Sequence, residues 1–122
     1  MANKKTTDAG HSFEDYFKRA ISPMLVLHLL SAQPMYVYQL SREMAERTDG
    51  TYNTAFLYPV LYRLQEQGFV TETGKEISEN NRVRNYYGIT KAGQQHLLSL
   101  KDDYARLIRS VEKIMTDETQ GV

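Results

Sequence analysis

The 122-residue chain has no cysteine, no tryptophan and only three prolines. Without thiols it can build no disulfide, iron-sulfur or thiolate-zinc framework, a composition compatible with a reducing compartment. Charge of one sign is also lacking, because 15 Lys and Arg meet 15 Asp and Glu. An argument from overall basicity to nucleic acid is therefore closed, and any such case must rest on where the charges sit. Long apolar runs are missing too. Ile21 to Leu30 is interrupted by Ser22, Pro23 and His28 and falls well short of the ~20 residues that span a bilayer. Lys4 and Lys5 are followed by Thr6, Thr7, Asp8, His11, Glu14 and Asp15, where a signal peptide needs its apolar stretch. The chain reads as a soluble, cytoplasmic protein with no membrane partner.

Catalytic constellations are equally scarce. His11, His28 and His96 lie in a polar tail, an apolar segment and a late helical segment, and none has metal-ligand spacing to another histidine. No phosphate-cradling glycine loop and no nucleophile motif is present, and Asp102-Asp103 reads as a solvated face. The expectation is no enzyme, no metal and no cofactor.

A chain of this length buries about 65–70% of its unfolded surface. The apolar set with tyrosine makes up 41% of residues; exchanging tyrosine for glycine gives about 39%, against a usual ~45–50%. That is lean for a self-sufficient core and favours one shared with a partner.

Residues 1–11 are polar and unpatterned and read as a loose tail. Ser12 is a candidate cap with Asp15 three residues on, and Phe13, Phe17, Ile21, Leu25 and Leu29 follow at helical spacing, so a first helix is expected over 13–31. Pro23 either kinks it or divides it. After Gln33-Pro34, a second helix is expected from Tyr36 to about Arg47 with Leu40 and Met44 inward and Val37 a further candidate for that face. The turn cluster at Thr48 to Thr51 leads to a third helix over 54–67, capped by Asn53 or Thr51, with Leu57, Leu61 and Leu64 on one stripe and Gly68 as its stop. Phe69 to Thr73 and Val83 to Ile89 are β-prone runs joined by a long polar tip. Thr90 caps a last helix reaching about Met115. In it Leu97, Tyr104 and Val111 fall seven apart, as do Leu100, Leu107 and Ile114, which makes three heptads.

Three helices, a hairpin and a long helix is the order of a winged helix-turn-helix followed by a dimerisation helix. A helical bundle with a decorative hairpin would share that order. The expected fold class is mainly α with a small β-hairpin (α+β), divided into the tail at 1–11, a winged domain at 12–93 and a dimerisation helix with its tail at 94–122.

Particular residues sharpen the reading. Pro34-Met35-Tyr36-Val37-Tyr38-Gln39-Leu40, Leu57-Tyr58-Pro59-Val60-Leu61-Tyr62-Arg63-Leu64, Gly68-Phe69-Val70 and the run from Arg82 to Gly93 resemble a PadR-family transcriptional regulator over roughly residues 20–115. The resemblance implies a cytoplasmic homodimer that binds palindromic operator DNA, usually as a repressor, and releases it when a small aromatic or drug-like molecule binds near the dimer interface. The chain departs from that pattern at four places. Val37 stands where a glycine is common, Asn81-Arg82 replaces Gly-Arg in the wing, Asn85 replaces a basic residue before Tyr86-Tyr87, and Tyr104 stands where the last helix often carries tryptophan.

A recognition helix needs an apolar face toward its own domain and a polar face that reaches base edges in a groove about 12 Å wide, with its N-terminal part meeting the bases. Tyr52, Asn53, Thr54 and Tyr58 are accordingly expected at the operator, with Tyr62 one turn further on; the competing reading packs the tyrosines on neighbouring helices with their hydroxyls at the rim. Arg82, Arg84 and Lys91 form the one acid-free basic cluster and suit phosphate contact, unless the hairpin pairs them with Glu72, Glu76 or Glu79. Tyr38, at the opening of the second helix, is a further candidate for phosphate.

The heptad stripe is too apolar for one small domain to bury, so Leu97, Leu100, Tyr104, Leu107, Ile108, Val111 and Ile114 are expected at a dimer interface, although packing on the first helix would also cover part of it. An effector cavity would form between the first helix and a partner's last helix, with Phe13, Tyr16, Phe17, Tyr104 and Ile108 as lining. The rival to a DNA-binding regulator is a winged helix used only for protein contact.

Overall fold

The computed structural model describes residues 12–53 and 57–116. The expected tail at 1–11 lies outside the described residues, as does Thr54.

Helix α1 spans Phe13–Leu30. The Ser12 side chain accepts from the Asp15 amide at 3.1 Å and closes the N-terminus. The helix runs through Pro23 as one element, and its inner face is Ser22, Val26, Leu27, Leu29 and Leu30. Helix α2 spans Val37–Arg47, with Leu40 and Met44 buried. Asp49, at φ 52°, follows its end. The Gly50 amide reaches back to the Ala45 carbonyl at 2.7 Å and the Asp49 amide to Glu46, which satisfies carbonyls that the last turn leaves open.

Helix α3 spans Leu57–Glu66 and buries Leu57, Leu61 and Leu64, each worth about 1.5–3 kcal/mol relative to exposure. Pro59 lies in its first turn, where a missing amide costs nothing. Gly68 ends the helix at φ 83°. The Phe69 amide bonds the Leu64 carbonyl at 2.9 Å and the Gly68 amide bonds Gln65 at 3.0 Å, the same closing pattern as on α2.

Strands β1 (Val70–Ile77) and β2 (Val83–Ile89) pair antiparallel, with Val70 opposite Ile89 and Ile77 opposite Val83. The first strand was expected to end at Thr73. It continues because the register shifts between Glu72 and Gly74, a bulge that lets the polar segment resume pairing, so backbone hydrogen bonding overrides weak β-propensity. The hairpin tip shrinks to residues 78–82, closed by the Ser78 amide on the Arg82 carbonyl at 2.8 Å and by the Ser78 hydroxyl, which accepts from the Asn80 and Arg82 amides. Met35, in the link between α1 and α2, exchanges two backbone hydrogen bonds with Tyr87, at 3.0 and 2.9 Å. This bridge ties the start of α2 to the wing.

Helix α4 spans Lys91–Met115, capped by the Thr90 hydroxyl, which accepts from the Gly93 amide at 3.0 Å and donates to the Gly68 carbonyl at 2.7 Å. A Cβ on Gly93 would sit 2.2 Å from the Phe69 carbonyl oxygen, so the helix starts flush against the end of α3. His96 stacks on Phe69 with ring centroids 4.1 Å apart. One core joins Val26, Leu27, Leu30, Met35, Leu40, Leu61, Leu64, Val70, Tyr87 and Leu97. The division proposed at 93/94 therefore falls inside a continuous helix whose first turns belong to the winged domain's core. No described helix is long and apolar enough to cross a membrane.

Candidate nucleic-acid interface

Helices α2 and α3 and the wing enclose a cleft of about 620 Å³. The Leu57, Leu61, Leu64 stripe turns α3 so that Tyr58 and Tyr62 face away from the core, and both are about half exposed. They lie one turn apart with ring centroids 5.8 Å from each other. Tyr38 approaches from the first turn of α2, its ring 5.9 Å from the Arg42 guanidinium carbon. Arg82 and Arg84 close the cleft from the wing, and Tyr87 forms part of its wall. Burial, followed by the nearby Tyr62, pushes the Tyr87 phenol above its ordinary range, so it stays protonated at neutral pH.

The cleft is electrostatically one-sided. None of its lining residues is acidic. Two acids of the hairpin are engaged elsewhere: Lys75 holds Glu72 at 3.0 Å, and the Tyr86 hydroxyl donates to Glu76 at 2.6 Å. Among the described residues neither Arg82 nor Arg84 forms an ion pair. Guanidinium forks with aromatic hydroxyls around a concave groove can take phosphate oxygens and base edges together.

Five of the residues expected at DNA thus converge on one site: Tyr38, Tyr58, Tyr62, Arg82 and Arg84. Asn53 is exposed ahead of α3, and Lys91 is exposed at the start of α4 but does not line the cleft. Tyr52 is a correction. It is 5% exposed, its hydroxyl hydrogen-bonded to Ser22 at 2.7 Å and to the Lys18 carbonyl. Desolvation explains the outcome: the ring fills space under α1, and a polar tip inside a core must find partners there. The side chain therefore faces the core.

Sequence reasoning did not place Ser78, Asn80 and Asn85 at the cleft, nor Tyr36, whose ring lies 4.7 Å from the Arg84 guanidinium carbon. Tyr36 opens α2 without capping it through its side chain, and its ring packs on the wing instead, edge-on to Tyr86 at 5.3 Å. Val37 lines the cleft as a half-buried residue, and the buried Asn85 Oδ1 has no hydrogen-bond partner among the described residues.

The residues expected at a dimer interface divide. Leu97, at 5% exposure, is a second correction: it belongs to the core, because the first turns of α4 pack on the winged domain. Leu100 packs partly against the same core. Beyond it Tyr104, Leu107, Val111 and Ile114 stand exposed, with Ile108 partly covered. Phe13, Tyr16 and Phe17 are exposed on α1. The cleft between α1, α3 and α4, about 570 Å³, is lined by other residues, among them Arg19, Pro23, Val60, Arg63 and Leu100. Among the described residues no group of three or more His, Cys, Asp or Glu could hold a metal ion.

Comparison with known proteins agrees with this geometry. A PadR family transcriptional regulator from Eggerthella lenta is similar at 26% identity and a TM-score of 0.72, over 82% of this chain and 86% of that one. A transcriptional regulator from Clostridium thermocellum is similar at 23% identity and a TM-score of 0.72, over 80% and 96% of the two chains. A PadR-like transcriptional regulator from Bacillus cereus reaches 22% identity and a TM-score of 0.69, over 82% and 96%. The last two likenesses bear on the fold alone. No curated protein matches the chain. The model of the transcriptional regulator PadR-like family matches residues 26–99, from the middle of α1 through the wing to the first turns of α4, and the chain belongs to that family.

Proposed function

We propose that the chain binds double-stranded DNA sequence-specifically as a homodimer on a palindromic operator, represses transcription there, and lets go when a small aromatic or drug-like effector binds. One observation carries the DNA reading: the exposed tyrosines of α3 and the unpaired arginines of the wing line a single cleft without an acid. In a helix-turn-helix the second helix enters the major groove, and flanking cations track the backbone. Asn53 and Lys91 extend the proposed contact at its edges, and Thr54, outside the described residues, is proposed to join it. With two wing arginines in each copy, few phosphates are neutralised per subunit, so affinity depends on pairing and falls with salt.

The exposed stripe of α4 supports the pairing. Tyr104, Leu107, Val111 and Ile114 continue the heptads that Leu97 and Leu100 begin inside the core, and an uncovered stripe of this kind is stable against its own copy. Two-fold symmetry then sets two copies of α3 about 34 Å apart, one turn of duplex. The proposed effector site lies between copies, with Phe13, Tyr16 and Phe17 of one against Tyr104 and Ile108 of the other.

The test is binding to DNA from upstream of the protein's own gene against random duplex, over a salt series, followed by footprinting. The expected result is a protected palindrome and a log-log salt dependence. A winged helix used only for protein contact shows neither sequence preference nor slope, and that outcome overturns the reading.

A further inference from the structure

Glu76 and Arg84 are directly opposed in the register of the hairpin, a placement in which opposite charges ordinarily join across strands. They do not pair. The Tyr86 hydroxyl, on the same strand as Arg84, donates to Glu76 Oε1 at 2.6 Å. Arg84 lies instead over the ring of Tyr36, 4.7 Å from its centroid. Tyr36 is itself held in place. Tyr86 meets it edge-on at 5.3 Å and 73°, and its neighbour Met35 is bridged to Tyr87 by two backbone hydrogen bonds. A guanidinium stacked on an aromatic face keeps its in-plane donors free. Arg84 thus stands on the ridge between the cleft described above and a neighbouring one of about 570 Å³ that contains Glu76 and Tyr86.

We propose that Tyr86 and Glu76 form a lock that keeps Arg84 available for phosphate: the tyrosine hydroxyl occupies the carboxylate that would otherwise neutralise the guanidinium, and Tyr36 holds that guanidinium at the lip of the cleft. Tyr86 is then a positioning residue that acts through Arg84. The inference rests on the DNA-binding reading. The bond to Glu76 is also the main reason the Tyr86 phenol is held above its ordinary range, so the hydroxyl remains a donor throughout neutral pH.

The test compares wild type, Tyr86→Phe and Tyr86→Phe/Glu76→Gln for binding to random-sequence duplex over a salt series, since a phosphate contact does not depend on sequence. Tyr86→Phe keeps the ring and its contact with Tyr36, and frees Glu76 to reach Arg84. Affinity should drop roughly tenfold, and the log-log salt slope should become shallower by about one for each wing. Glu76→Gln in the same chain should restore both, which repair of a merely structural defect would not do. In the free protein, the ring-current shift of the Arg84 side-chain protons should shrink in Tyr86→Phe and return in the double variant. Undiminished binding by Tyr86→Phe, or a loss that Glu76→Gln does not repair, overturns the lock. If wild type itself fails to bind duplex, the DNA reading falls; the ring-current shift then decides the lock alone, and its persistence in Tyr86→Phe overturns it.

Discussion

Ser22 and Tyr52 share a hydrogen bond of 2.7 Å across thirty residues of sequence, and both hydroxyls lie within hydrogen-bonding reach of the Lys18 carbonyl, so that one donates to the carbonyl while the other donates to its partner hydroxyl. Ser22 is fully buried in the middle of α1, and Tyr52 stands just ahead of α3. The pair therefore pins the approach to α3 against α1. It does with two hydroxyls what an apolar contact could not: it satisfies polar groups inside the core and sets the spacing between the two segments.

Tyr52→Phe should lower stability by about 1 kcal/mol, the usual net worth of an intramolecular hydrogen bond. Ser22 keeps its own bond to Lys18, so the cost stays below that of an orphaned group. Urea denaturation checks the size of the loss. Duplex affinity of the folded protein should stay within twofold of wild type, a tolerance taken from ~0.4 kcal/mol of indirect effect.

The same tyrosine makes stability sensitive to alkali. Burial pushes the Tyr52 phenol above its ordinary value of 10.0, and burial does the same to Tyr87. The unfolded chain then releases these protons at lower pH than the folded chain does. Their contribution is complete below about pH 10 and is lost as pH rises through the folded values. Urea midpoints measured upward from about pH 9 should fall, and Tyr52→Phe should make that fall shallower. An equal slope in the variant would show that Tyr52 does not contribute.

Tyr58→Ala removes an exposed ring from α3 and should cost about 1–3 kcal/mol of duplex binding per copy, a tenfold loss or more. Stability and oligomeric state should hold, because surface substitutions usually shift stability by no more than ~0.5 kcal/mol. Anisotropy titration beside sedimentation separates these effects. Retained binding would remove α3 from the DNA role.

Val111→Glu places a charge on the exposed stripe of α4, far from the core cluster. The expected outcome is a folded single chain in sedimentation velocity, with duplex affinity reduced by at least a hundredfold, or ~2.7 kcal/mol, as the second reading head is lost. A dimer that survives the substitution would move the interface off this stripe.

Gly93→Ala tests the junction between the wing and the long helix. Its Cβ would clash with the Phe69 carbonyl oxygen and with Ile89, so the start of α4 must shift. Overpacking of this kind costs about 1–3 kcal/mol, readable as a lower urea midpoint.

The amino-acid sequence by itself determined what short-range chemistry can decide. Ser12 and Thr90 cap their helices, Gly68 ends α3 with φ positive, and the spacing of Leu57, Leu61 and Leu64 orients that helix. Each depends on residues within a turn or two of one another, so local pattern suffices. From that orientation the outward placement of Tyr58 and Tyr62 followed, and the basic content of the wing was equally plain in Arg82 and Arg84.

Only the tertiary structure decided what depends on distant segments meeting. Tyrosine carries both an apolar ring and a polar tip, so nothing near Tyr52 could tell that it would be buried while Tyr58 and Tyr62 stay exposed. The continuation of β1 through Gly74 to Ile77 came from pairing with β2, against the preference of its own residues. Leu97 and Leu107 occupy equivalent apolar stripes of one helix, yet the first is core and the second is exposed, because α4 runs on past the edge of the domain it packs against. The stack of Arg84 on Tyr36 needs the bridge between Met35 and Tyr87, a contact between segments some fifty residues apart, and long-range closure of that kind is settled by the packed fold as a whole.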